Sequence, residues 1–97
     1  MRPEHRDLRM TMKEVEEITQ IPVTRISYWI NTGLLKPESS RGEGRGRRHK
    51  FSPFNLVEIL TIEQLRKQQV SRQALQKVLR ALRRRRAQVE QYEGVMT

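Results

Sequence analysis

The chain has 97 residues, 35% of them hydrophobic, and sets 20 Lys and Arg against 11 Asp and Glu for a formal net charge of +9. That length supports one small core and excludes a second independent one, while the charge favours a polyanionic partner such as nucleic acid. The sequence has no cysteine, which excludes disulfides and thiolate metal sites; no apolar run approaches the ~20 residues a membrane span needs, and the N-terminus lacks the apolar segment of a signal peptide, so a cytoplasmic, nucleoid-associated protein is expected.

Residues 1–10 read as a flexible arm, because Met1 to Arg9 mix charges with one proline and little apolar content. His5 lies there without a second ligand at metal spacing. Neither a metal nor any other cofactor is expected.

From Thr11 to Leu35 the chain reads as two short helices joined by a tight turn. Thr11 is placed as an N-cap, with Glu14 completing a capping box. Met12, Val15 and Ile18 then recur at helical spacing. Pro22 lacks a backbone donor and suits the start of a second helix, from about Val23 to Thr32, with Gly33 at the left-handed position after it. At 100° per residue, Val23, Ile26, Trp29 and Ile30 share one side, and Thr24, Arg25, Tyr28 and Asn31 share the other. The second side is small and polar at its start and offers hydrogen-bond donors. That suits a helix entering a DNA major groove by its N-terminal residues, and it equally suits the solvated face of an ordinary helical hairpin.

Leu34 and Leu35 should fold back on the first helix, and Lys36 and Pro37 leave in extended form. Ser39 to Gly46 holds three glycines and no apolar side chain, and reads as a loop tip. Pairing of Leu35–Glu38 with Arg48–Phe51 on either side of it would make a small two-stranded β wing. The wing carries Arg41, Arg45, Arg47 and Arg48, with His49 and Lys50 close behind. Arginines among glycines can approach a phosphate backbone closely or enter a narrow minor groove.

Ser52 caps a third helix with Pro53 at its first position. Phe54, Leu56, Val57, Leu60 and Leu65, helped by Ile59 and Ile62, give its apolar stripe and the expected centre of the core. Ser71 caps a fourth helix, whose stripe is Ala74, Leu75, Val78, Leu79 and Leu82. Arg80 and Arg83 to Arg86 exceed what the helix macrodipole alone favours, so residues 83–97 read as a basic C-terminal helix extension or tail. Leu75, Leu82 and Val89 are spaced by seven, a pattern for homodimerisation through this helix.

Four local patterns then converge: T-M-K-E-V at Thr11, I-S-Y-W-I-N-T-G-L-L-K-P from Ile26, G-R-R-H-K-F-S from Gly46, and L-R-K-Q-Q-V-S from Leu65. Together they make residues 11–82 resemble the DNA-binding domain of the MerR family of bacterial transcription regulators. The resemblance implies a mainly α, winged helix-turn-helix fold of four helices plus a small two-stranded β wing. It also implies base or phosphate contacts from Thr24, Arg25 and Tyr28, and backbone contacts from the wing, where Arg47 and Arg48 match best. Four positions depart from the pattern: Ser27 stands for the usual Arg, Ile30 for Glu, Phe51 for Tyr, and Gln69 where a Gly often sits. The family's metal or drug sensing is not carried over, because only about a dozen residues follow the arginine run.

The leading expectation is a sequence-specific, double-stranded DNA-binding transcription regulator acting as a dimer. The alternative is an architectural DNA-binding protein of the phage excisionase, packaging or antitoxin kind, with a protein partner the sequence does not name. An RNA-binding or protein-adaptor module is the third reading, opposed by an aromatic content of 5%. Enzymatic activity is not expected, since His5 and His49 lie far apart without an ordered carboxylate partner and no phosphate loop opens a helix.

Overall fold

The computed structural model describes residues 8–42 and 48–96. In chain order the elements are β1 (Met10–Thr11), α1 (Met12–Thr19), α2 (Val23–Asn31), β2 (Ser39–Arg41), β3 (Arg48–Phe51), α3 (Pro53–Lys67) and α4 (Arg72–Met96). This is the mainly helical winged helix-turn-helix fold, with four helices. The chain divides into two compact units, Met1–Glu63 and Gln64–Thr97.

In the first unit, α1 begins with a full capping box. The Thr11 hydroxyl accepts the Glu14 N–H at 3.1 Å, and the Glu14 carboxylate accepts the Thr11 N–H at 2.9 Å. Of the expected stripe on α1, Val15 is fully buried but Ile18 is 57% exposed. An eight-residue helix here gives the core only the narrow side on which Val15 sits. Gln20 closes α1 in the left-handed region at φ +62°, its N–H donating to the Glu16 carbonyl at 2.8 Å. The Glu16 side chain crosses the turn and accepts the Val23 N–H at 2.9 Å. It thereby caps α2, whose own N-cap is Pro22 and offers no side-chain acceptor. One carboxylate thus fixes how the two helices meet.

Ile26 and Trp29 are the buried residues of α2. Gly33 takes φ +81° after it, and the N–H groups of Leu34 and Leu35 both return to the Trp29 carbonyl, at 2.9 and 3.2 Å. That reversal sends both leucines into the core.

The sheet differs from the expected wing in two respects. Its strand before the tip is Ser39–Arg41, not Leu35–Glu38, and the register is Ser39 opposite Lys50, Ser40 opposite His49 and Arg41 opposite Arg48. Leu34, Leu35 and Pro37 are buried, so that stretch serves the core and pairing starts only after it. The sheet also has a third strand: Met10 pairs with Phe51 and Thr11 with Lys50, antiparallel, giving the order β1-β3-β2. Met10, assigned to the arm by composition, is therefore part of the sheet; residues 1–7 of that arm, with His5, lie outside the described residues.

Helix α3 starts as expected, with the Ser52 hydroxyl accepting the Asn55 N–H at 3.0 Å. Its buried face is only in part the expected one: Ile59 and Ile62 are where the sequence put them. Asn55, Glu58, Ile59 and Ile62 are buried, whereas Val57 and Leu60 are 47% and 48% exposed. The spacing of the buried set is helical, but two of its members are polar. Asn55 makes this tolerable. Its side-chain oxygen accepts the N–H groups of Ser52 and Glu38, at 3.0 and 2.9 Å, and its amide nitrogen donates to the Lys36 carbonyl and the Glu58 carboxylate, at 3.0 and 2.9 Å. No buried side-chain N or O atom among the described residues lacks a partner.

In the second unit, Gln69 sits in the left-handed region at φ +61°, and the Val70 N–H reaches back to the Leu65 carbonyl at 3.1 Å. Glycine is common at that position because it adopts such a φ without a steric cost. The Ser71 hydroxyl accepts the Ala74 N–H at 3.2 Å and opens α4, a single helix of 25 residues, about 37 Å long at 1.5 Å per residue. Leu75 and Leu79 are buried, while Val78 is 37% and Val89 53% exposed. Among the described residues, no helix is long and apolar enough to cross a membrane.

Candidate nucleic-acid interface

The first unit contains a groove of about 720 Å³ that four elements line. The end of β1 supplies Thr11, and the start of α1 supplies Met12 and Lys13. One side of α2 supplies Val23, Ser27 and Asn31, four residues apart and hence in line along the helix. The strand β3 supplies Arg48, His49 and Lys50. Pairing of Thr11 with Lys50 brings β3 beside the first turn of α1, and the Glu16 cap turns α2 toward the same space. Cations from two segments far apart in sequence therefore line one groove together with the hydroxyl of Ser27 and the amide of Asn31.

The electrostatics of the groove favour an anion. Lys13, Arg48 and Lys50 are the charged residues that line it, and the N-terminal end of α1 adds its partial positive charge. Glu14, in that same turn, has its carboxyl held below the usual carboxylate range, first by the Thr11 N–H, then by the Thr11 hydroxyl, and more weakly by the charge of Lys50. A carboxyl lowered on folding stabilises the fold above its ordinary range, and this contribution fades as pH falls through the lowered value. At neutral pH the box is intact. On the wing, Arg41 and Arg48 are direct cross-strand partners. Like charges so placed repel, and a bound anion between them relieves the repulsion.

Tyr28 is 60% exposed, and Thr24 is exposed one turn before it. Both stand beside the groove on α2 and do not line it. Arg25 is half-buried and ion-paired, its Nη1 donating to Glu63 Oε2 at 2.6 Å. Arg41 and Arg48 are exposed. His49 is half-buried; its Nδ1 lies 2.7 Å from the Ser40 hydroxyl, and its ring meets Phe51 edge-on with centroids 6.2 Å apart. Arg45 and Arg47 lie outside the described residues. The fold thus brings Arg48, His49 and Lys50 to the same space as α2, but sets Arg25 against α3.

Lys13, Ser27 and Glu63 carried no expected contact, and Asn31 was expected only as part of the polar side of α2; Lys13, Ser27 and Asn31 line the groove, and Glu63 pairs with Arg25. The sequence set Val23 on the apolar side of α2 and Asn31 on the polar one, whereas both line the groove with Ser27 between them, along the boundary of the two sides. Lys13 and Glu63 offer no local signal, since each is one charge among many on a helix. Among the described residues, no group of three His, Asp or Glu side chains is placed to hold a metal ion.

Two comparisons bear on this geometry. A family model described as MerR HTH family regulatory protein matches residues 10–82, most of the chain. No curated protein matches the sequence.

Proposed function

We propose that this chain, which belongs to the MerR HTH family of regulatory proteins and hence to the DNA-binding transcription regulators, grips double-stranded DNA with α2 in the major groove and the wing on the adjoining backbone or minor groove. Thr24, Arg25 and Tyr28 face base edges, each good contact being worth about 1–3 kcal/mol of discrimination. Lys13, Arg41, Arg48 and Lys50 hold phosphates, with His49 beside them, and supply affinity by releasing counterions. Ser27 and Asn31 add neutral hydrogen bonds to the same strand. The chain acts as a dimer on a two-fold site, joined through α4, the form common among helix-turn-helix readers.

The observation that carries this reading is the groove itself, in which a helix side with hydrogen-bonding groups faces a strand with three consecutive cationic or ionisable residues. The test is the salt dependence of binding. Arg48→Ala should weaken binding to every duplex alike and reduce the slope of log affinity against log salt by about one. Fluorescence anisotropy at several KCl concentrations reads both quantities. An unchanged slope would remove β3 from the interface.

A further inference from the structure

We infer that Glu63 is a specificity-determining positioning residue, which holds Arg25 so that its guanidinium reads a base edge and does not wander to a phosphate. The inference rests on the proposed DNA-binding reading and concerns how α2 discriminates.

Arg25 lies in the first turn of α2, its N–H donating to the Pro22 carbonyl at 3.0 Å. It is next to Thr24 and one turn before Tyr28, and so sits within the surface proposed to face the bases. Its guanidinium is not loose. Nη1 donates to Glu63 Oε2 at 2.6 Å, and the two side chains are 34% and 12% exposed. The carboxylate comes from α3, a separate helix packed within the same unit, so the contact is not a neighbouring-turn pair that frays with its helix. A guanidinium presents five donors in a rigid planar fork. Glu63 occupies one end of that fork at Nη1. The Nε–Nη2 edge has no partner among the described residues. It is the pair of parallel donors that a guanine O6/N7 edge accepts.

Two consequences follow from the pairing. The long arginine side chain has lost its freedom before DNA arrives, so the loss is not charged to binding. The carboxylate also offsets charge on Arg25, so Arg25 releases fewer counterions than an unpaired arginine would and contributes less to sequence-independent attraction. A paired arginine on a reading helix therefore adds discrimination without adding indiscriminate grip. An unpaired one at the same place would add both, since the nearest strong acceptor along a duplex is usually a phosphate.

The experiment starts from the duplex that the unaltered chain enriches from a randomised library, with a shuffled duplex of equal composition as the second probe. Glu63→Gln preserves shape and fold while removing the charge. The expected result is an approximately tenfold loss in the ratio of affinities for the two duplexes, several-fold tighter binding to the shuffled one, and a salt slope steeper by about one as the freed cation finds a phosphate. Arg25→Ala should lose the same discrimination without the steeper slope, and the double variant should lose no more than either alone. Retention of both ratio and slope in Glu63→Gln overturns the inference while DNA binding stands. So does a further loss when Glu63→Gln is added to Arg25→Ala, because Glu63 would then act through something else. Tighter binding to both duplexes with the ratio kept would mean that Glu63 withholds Arg25, which also overturns it. Failure of the unaltered chain to enrich any duplex would remove the DNA-binding reading first, and this inference with it.

Discussion

In the first unit the cations at the groove are assembled by the fold: Lys13 comes from α1, and Arg48 and Lys50 from a strand that pairs with Thr11 just before that helix. In α4 the cations are assembled by sequence alone, as four consecutive arginines from Arg83 to Arg86. Consecutive residues on a helix advance by 100° each, so the four point around roughly 300° of its circumference. No flat partner meets all of them. Arg86 pairs with Glu90 one turn on, at 2.8 Å, a local tie of a kind worth about 0.3–0.5 kcal/mol. On the reading proposed above, placement turns charge into selectivity in the first case, whereas in the second charge supplies only a general attraction.

The contrast can be broken most severely at Asn55. Asn55→Ala removes four hydrogen bonds at a buried position and leaves the amide groups of Ser52 and Glu38, together with Glu58, short of a partner. Urea unfolding should show a loss of about 2–4 kcal/mol, and DNA affinity should fall with it, because the exit from α2 toward the wing is tied to α3 through this residue. A cost below about 1 kcal/mol would mean that charge placement in the first unit depends less on this hub than on apolar packing. Next in size is replacement of Arg83, Arg84, Arg85 and Arg86 together by Gln, which keeps helix propensity. Affinity should fall for matched and shuffled duplexes by the same factor, with the salt slope lower by about two. A change in the ratio of the two affinities would show that α4 discriminates as the groove does. The smallest effect belongs to Gln69→Gly, which relieves a left-handed φ of +61°. Thermal unfolding should show stabilisation of about 0.5–1 kcal/mol, with DNA binding untouched.

Features decided within a few residues were legible in the sequence. The Thr11–Glu14 box, the Ser52 and Ser71 caps and the left-handed Gly33 all appear where their local chemistry placed them. The unusual Gln69, noted as standing where a Gly often sits, is found in the backbone conformation that explains that preference. What could not be read depends on distant partners. Ser39–Arg41 has no alternation of apolar and polar residues, so nothing local marks it as a strand, and its register depends on β3. Met10–Thr11 is too short to carry a pattern. On α3, hydropathy favours Val57 and Leu60 over Asn55 and Glu58, and only the backbone groups of Lys36 and Glu38, brought in by the fold, reverse that preference. The partner of Arg25 lies on a separate helix, and no spacing rule connects them. At the interface, the basic strand was legible as a part; the helix side that meets it was not, since of the polar face read from the sequence only Asn31 lines the groove.

The two outer strands of the sheet have a consequence for behaviour in concentrated solution. An unpaired strand border is a template onto which another chain can add, and the risk grows with its length and greasiness. Here one border is the two-residue strand Met10–Thr11 and the other is Ser39–Arg41, which ends in a cation. Neither offers enough main chain to nucleate a stacked assembly, and the arginine repels its own image on an approaching molecule. Both borders are thus poor templates, and edge-to-edge addition between crowded copies is disfavoured by strand length and by charge together.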